Sequence, residues 1–94
     1  TPTRRPTPTP NASSYYDKGE AYYKDGKYQL AINEFTTAIR LSPKYANSYW
    51  QRGLAYSKLI EYHAVIHNFS EVIRPFPKAD ADKAKACSLD SQYC

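Results

Sequence analysis

The stretch ASSYYDKGEAYYKDGKYQLAINEFTTAIRLSPKY, residues 12–45, is followed directly by ANSYWQRGLAYSKLIEYHAVIHNFSEVIRPFPKA, residues 46–79. The two copies are identical at 14 of their 34 positions, and no gap is needed to align them. A fixed period of this length is the signature of stacked repeats, in which each unit buries its apolar face against its neighbour. The chain is therefore expected to present a binding surface rather than a catalytic centre.

Each copy has the pattern of two helices joined by a turn. Apolar and small residues recur at steps of three and four, Asp25-Gly26 is a turn signal, and Pro43 is a stop signal. The pattern predicts helices at about 13–25, 28–41, 46–59, 62–74 and 79–89. Ile60 stands where the first copy has Gly26, and a β-branched residue fits poorly in a turn that needs a positive φ. We therefore expect an altered or more mobile second turn.

Seven marker residues recur at the same spacing in both copies. They are Tyr15, Gly19, Tyr22, Ala31, Phe35, Ala38 and Pro43, then Tyr49, Gly53, Tyr56, Val65, Phe69, Val72 and Pro77. This series resembles the tetratricopeptide repeat family. The resemblance implies an all-α fold of helix-turn-helix repeats stacked as a short right-handed superhelix, with about five helices. Lys18 and Arg52 depart from the family pattern, which has Leu at that position.

Three segments are expected. Residues 1–11 contain four of the seven prolines and no large apolar residue, which predicts a disordered Thr/Pro-rich linker. Residues 12–79 hold the two repeats, 12–45 and 46–79. Residues 80–94 resemble the capping helix and tail that close such arrays. We expect the chain to be a piece of a longer protein, to which the linker would tether it.

The resemblance implies a non-enzymatic protein–protein interaction module. Its concave groove would bind a peptide or partner protein through fixed positions on the first helix of each repeat. Carried over to this sequence, these positions (the groove) are Ser13, Tyr16, Glu20, Tyr23, Lys24, Asn47, Trp50, Leu54, Ser57 and Lys58. The large residues among them are not needed for the repeat's own core, which favours a binding surface. The other interpretation is that Tyr16 and Trp50 pack on each other and on the neighbouring helix.

The partner's identity is not contained in the sequence, but some partners are disfavoured. One subclass of the family clamps the C-terminal carboxylate of a chaperone, using Lys and Asn where this chain has Tyr16 and Glu20, and Asn where it has Gln51. Such a partner is not expected, because Glu20 would repel a carboxylate. The alternative function is self-association, in which a second copy of the chain is the partner and forms a homo-oligomer.

Charge and composition exclude several further classes. The net charge of +4 is spread along the chain, whereas a nucleic-acid binder would show a basic stripe. No apolar run is long enough for membrane insertion. The sequence also lacks a Gly-rich phosphate loop and a nucleophile elbow, so we expect neither an enzyme nor a cofactor.

The cysteines and histidines leave alternatives open. Cys87 and Cys94 could form a disulfide that pins the last residues onto the capping helix, or Cys87 could be a packing residue and Cys94 a free thiol. Together with the linker, the first option favours an exported setting. His63, His67 and Glu71 have the spacing of metal ligands on one helix face, but the polar Gln29, Asn33 and Thr37 of the first copy indicate an outer polar stripe. A metal- or redox-sensitive element is a third hypothesis.

Overall fold

The fold of this chain is helical. The structure, a computed structural model, describes the backbone of residues 10–66 and 76–94 and the side chains of residues 11–59 and 78–94. These residues form four helices and no strand: α1 (Pro10–Lys24), α2 (Tyr28–Leu41), α3 (Ala46–Ile66) and α4 (Phe76–Leu89). The expected all-α class, with neighbouring helices packed together, is confirmed. None of these described helices has the length and apolar character that crossing a membrane requires.

α1 and α2 form a helix-turn-helix pair. Gly26 at the turn has a φ of 79°, a left-handed conformation that glycine adopts readily because it has no β-carbon. The backbone N–H of Lys27 donates to the carbonyl of Tyr22 at 2.9 Å and closes the end of α1. α2 has its predicted bounds, whereas α1 begins earlier, at Pro10, because proline is tolerated in the first helical turn. Ala31, Ile32 and Phe35 of α2 form the first buried cluster together with Ala55 of α3.

α3 does not turn where the first copy turns. It runs from Ala46 to Ile66, so the predicted helix end at residue 59 and the predicted new start at residue 62 are wrong. Residue 60 is Ile, which disfavours the left-handed φ that Gly26 adopts. No Gly or Pro follows before residue 66, so nothing in the local sequence interrupts the helix. The rest of the predicted fourth helix, residues 67–74, lies outside the described residues.

α4 packs antiparallel on α3. Near the start of α4, the carbonyl oxygen of Ala79 would lie 3.2 Å from a β-carbon placed on Gly53. Near its end, Ala86 is buried with Ala46 and Tyr49 in the second cluster. α4 thus lies beside Gly53 much as α2 lies beside Gly19. The segment predicted as a capping helix, 79–89, is helical, and the helix begins slightly earlier, at Phe76.

A buried ion pair joins α3 to α4. Arg52 Nε donates to Asp82 Oδ2 and Arg52 Nη2 donates to Asp82 Oδ1, each at 2.7 Å. Arg52 Nη1 also donates to Thr36 Oγ1 at 3.1 Å, so this side chain links α2, α3 and α4. Asp82 is only 5% exposed. Hydrogen bonding to Asp82 raises the pKa of Arg52 above its ordinary value, although burial opposes the rise.

Candidate functional site

The ten predicted groove residues lie on α1 and α3, five on each helix. The side chains of Lys24 and Lys58 are exposed, and the other eight are partly buried. Only a few contacts link α1 directly to α3, since α2 packs between them along most of their length. What the groove can bind is therefore decided by the groove residues that lie near α4 and the residues after it.

A chain of hydrogen bonds connects α1 to α3 and then to the C-terminal residues. The Tyr16 hydroxyl donates to Glu20 Oε2 at 3.1 Å and accepts from Asn47 Nδ2. Asn47 Oδ1 in turn accepts from the Tyr93 hydroxyl at 3.0 Å. Burial, followed by the negative charge of Glu20, raises the pKa of Tyr16 well above its usual range. The Tyr16 hydroxyl therefore remains a donor at all physiological pH values.

Tyr16 and Trp50 are both packed against the protein itself. The Tyr16 ring lies 5.5 Å from the ring of Phe35 and 5.9 Å from that of Tyr45, between ring centroids. The Trp50 ring lies 5.4 Å from that of Tyr93, and the Lys83 ammonium lies 6.0 Å from the Trp50 ring centroid. Both groove aromatics therefore pack on buried clusters of the protein itself, and their part in binding a partner stays a prediction.

The physical reason differs between the two aromatic residues. Tyr16 faces the α1–α2 interface, where it packs on the first buried cluster. Trp50 packs on the second buried cluster, where Tyr93 is also packed, and Tyr93 lies outside both repeats. The alternative interpretation, in which the two residues pack within the fold, is closer to the structure, although they contact different neighbours rather than each other.

Five further groove residues follow Tyr16 and Trp50 along the two helices: Tyr23 and Lys24 on α1, and Leu54, Ser57 and Lys58 on α3. Tyr23 makes an edge-to-face contact with Tyr28 at 5.4 Å between ring centroids. The Ser57 hydroxyl donates to the Gly53 carbonyl at 3.1 Å, a bond within α3. Leu54 is partly exposed, one turn after Trp50 on α3. This half of the groove combines Leu54 with the exposed ends of Lys24 and Lys58.

The C-terminal tail (residues 90–94) covers the other half. Cys87 in α4 is joined to Cys94 by a disulfide, with an S–S distance of 1.97 Å and a Cα–Cα distance of 4.7 Å. Asp90 accepts a hydrogen bond from the backbone N–H of Gln92 and so begins the 3₁₀ turn Ser91–Tyr93. The turn places Tyr93 on Trp50 and Asn47. Beside it, a cleft of about 300 Å³ lies between the tail and the α2–α3 connection, with Lys44, Tyr45 and Gln92 in its wall.

The tail is ordered at an entropic cost. Fixing the backbone of one residue costs about 1–2 kcal/mol, and four residues follow Asp90. An aromatic pair such as Trp50–Tyr93 contributes about 0.5–1.5 kcal/mol beyond the area that it buries, and a hydrogen bond such as Tyr93–Asn47 about 0.5–1.5 kcal/mol. These two contacts together contribute about 1–3 kcal/mol, which is less than the cost of about 4–8 kcal/mol for four residues. The covalent link at Cys94 therefore has a large share in holding the tail in place.

Two functional features were not found by sequence reasoning. The Arg52–Asp82 pair had an ambiguous signal, because Arg52 and Lys18 both stand where the pattern has Leu, but Lys18 is exposed and only Arg52 meets a buried carboxylate. No sequence signal indicated the Tyr93 contact, because the contact of this tyrosine with α3 depends on the path of the tail. The weak metal candidate stays a prediction, since the side chains of His63, His67 and Glu71 lie outside the described part. The described side chains contain no cluster of three His, Cys, Asp or Glu residues that could hold a metal ion.

Comparison with known proteins finds a similarity over part of the repeated segment. Residues 19–59 match the family model described as TPR repeat. The match covers the C-terminal part of α1 from Gly19, all of α2, and α3 up to Leu59. It ends immediately before Ile60, the position at which α3 continues instead of turning. No curated protein and no solved structure matches the chain.

Proposed function

Because this chain carries tetratricopeptide-repeat sequence, and such repeats generally mediate protein–protein interactions, we propose that it is a non-enzymatic interaction module. It binds an extended or helical peptide of a partner protein along α1 and α3. The observation that carries the proposal is the partly exposed Leu54, which lies on α3 between Trp50 and the exposed Lys58. An apolar side chain beside a cation suits a peptide that carries an apolar residue near an acidic one.

The surroundings of Glu20 support the exclusion of one partner class. Glu20 accepts a hydrogen bond from Tyr16, and these two residues stand where the chaperone-binding subclass has its carboxylate-clamping side chains. A peptide C-terminal carboxylate placed there would face the negative charge of Glu20 without a cation in the equivalent position. The partner peptide is therefore recognised through internal side chains rather than through its terminal carboxylate.

The test compares two leucines in the same fold. Peptides selected from a displayed random library on the wild-type chain would be titrated against Leu54→Glu and against Leu30→Glu. Leu30 lies on α2, outside the groove, and is 44% exposed, so its substitution is the matched control. We expect Leu54→Glu to weaken binding by roughly tenfold or more, about 1.4 kcal/mol, and Leu30→Glu to leave it unchanged.

Circular dichroism would first establish that both variants keep the helical content of the wild type. A selection that yields no binding peptide, or peptides that lose affinity equally on both variants, would contradict the proposal. Peptides that bind through α2 instead would lose affinity on Leu30→Glu only, and this would place the interaction surface elsewhere on the molecule.

A further inference from the structure

We propose that the C-terminal tail is an internal occupant of the groove, and that reduction of the Cys87–Cys94 disulfide releases it. This inference deepens the proposed function and rests on it, since the surface that opens is the α3 part of the same groove. It concerns two groove residues, Asn47 and Trp50, both of which contact Tyr93 in the structure.

Tyr93 makes contacts of the kind that a bound peptide side chain makes. Its ring lies against Trp50, with 5.4 Å between centroids and an interplanar angle of 32°. Its hydroxyl donates to Asn47 Oδ1, and Asn47 Nδ2 donates onward to Tyr16. A single side chain of the tail thus uses an aromatic surface and a polar group that a partner peptide would otherwise use. While Tyr93 is in place, it occupies the face of Trp50 and the amide oxygen of Asn47 that another side chain would use.

The disulfide determines whether the tail stays there. The bond between Cys94 and Cys87 closes residues 88–93 into a loop that is anchored on α4. The hydrogen bonds from the Gln92 N–H to Asp90 and from the Cys94 N–H to Ser91 are local and shape the turn, whereas the hydrogen bond from Tyr93 to Asn47 reaches α3. Without this covalent anchor the tail has lost its link to α4, and segments that are not tied down are poorly ordered.

The chemical step is thiol–disulfide exchange with a dithiol reductant. A thiolate of the dithiol attacks the exposed Cys94 sulfur, the Cys87–Cys94 bond breaks, and Cys87 leaves as a thiolate. The second thiol of the reductant then resolves the mixed disulfide, so the protein gains two electrons and two protons and the dithiol becomes a disulfide. Disulfides persist in oxidising compartments and are reduced in the cytosol, so the state of the tail follows the redox conditions around the protein.

The experiment uses Trp50 as its probe, since it is the only tryptophan in the chain. Trp50 fluorescence and its quenching by acrylamide would be measured on the full chain before and after addition of dithiothreitol, with thiol titration to show that the disulfide has been cleaved. We expect a red shift of the emission and stronger quenching after reduction. Circular dichroism would show that the helices remain formed, so that the change reports the tail alone.

Two variants separate the tail from the disulfide. Tyr93→Ala keeps both cysteines and should give strong quenching already in the oxidised state. The double variant Cys87→Ser/Cys94→Ser should show the reduced signal with or without dithiothreitol. If the disulfide of the wild type is cleaved and the quenching of Trp50 does not change, the tail stays in place without its anchor and the proposal is overturned.

Peptide affinity provides the second readout. For a peptide selected on the reduced chain, we expect the affinity to rise roughly tenfold on reduction, as when the open form goes from a tenth of the molecules to nearly all of them. Equal affinity of the peptide for the oxidised and reduced chains would overturn the proposal that the tail occupies the groove, but it would leave the proposed interaction function intact. Exposure of Trp50 on reduction, with no peptide bound in either state, would support release of the tail and instead contradict the interaction function.

Discussion

The pair α1–α2 and the pair α3–α4 start from equivalent glycines but are held together by different interactions. Gly19 lies against the fully buried ring of Phe35, so the first pair meets through an apolar contact. Gly53 lies against Ala79, Asp82 and Lys83 of α4, and the same interface contains the Arg52–Asp82 ion pair. The second pair also carries the Cys87–Cys94 disulfide at its end.

This difference shows that a residue repeated in both copies does not specify which helix packs against it. The glycine at this position allows a second helix to approach closely, whichever helix that is. In the first copy the turn at Gly26 returns the chain immediately, and α2 becomes the neighbour. In the second copy α3 continues past Ile60, and the contact with Gly53 is made by α4. The Arg52–Asp82 ion pair and the cluster of Ala46, Tyr49 and Ala86 then stabilise the α3–α4 interface.

The largest expected effect comes from breaking the ion pair of the second interface. Arg52→Ala should lower the free energy of unfolding by about 3–5 kcal/mol, because it leaves the Asp82 carboxylate buried without its partner. Lys18 is the equivalent residue of the first copy and is exposed. Its cation–π contact with Tyr15, at 5.3 Å, makes Lys18→Ala a control that should cost about 1 kcal/mol or less. Urea denaturation of both variants measures the difference.

A double variant makes this comparison sharper. Arg52→Leu combined with Asp82→Leu removes both charges and restores the leucine of the family pattern. It should recover most of the stability that either single change loses, because replacing a buried pair by apolar residues is often neutral or stabilising. Equal losses for Arg52→Ala and Lys18→Ala would show that α4 is not held on α3 by this pair.

The next largest difference in stability is expected between the alanine substitutions of Gly19 and Gly53. A β-carbon at Gly19 would lie 2.6 and 2.7 Å from two Phe35 ring atoms, and the buried ring has no free space to enter. Overpacking of this kind costs about 1–3 kcal/mol and alanine returns about 1 kcal/mol of helix propensity, so we expect Gly19→Ala to lose up to about 2 kcal/mol.

At Gly53 the nearest atoms would be 3.1–3.3 Å away, and the closest belongs to the flexible Lys83 side chain. We expect Gly53→Ala to stay within about 0.5 kcal/mol of the wild type, because the gain in helix propensity offsets the tight contacts. Thermal unfolding of the two variants measures the contrast. A larger loss at Gly53 than at Gly19 would mean that the α3–α4 interface is the more tightly packed of the two.

Sequence reasoning succeeded where the information was local. Asp25-Gly26 and Pro43 predicted the turn and the end of α2, because turn residues act on their own backbone. The end of α3 was predicted wrongly because the second copy was assumed to repeat the first, although Ile60 already disagreed. The closed half of the groove depends on Tyr93, which contacts Asn47 from 46 positions further along the chain. No period or motif encodes a contact of that range.

The smallest expected effect compares two equivalent serines. Ser48 is 1% exposed, and its hydroxyl has no hydrogen-bond partner among the described residues. Ser14 occupies the same position of the first copy and is exposed. Both lie within helices, so replacement by alanine changes helix propensity equally, and only Ser48→Ala also removes a buried polar group. We expect Ser48→Ala to be about 1 kcal/mol more stable than Ser14→Ala, which corresponds to a difference of about 4–8 °C in Tm. If instead Ser48→Ala is the less stable variant, a water molecule or another group must bind this hydroxyl, and the second interface contains a further polar link.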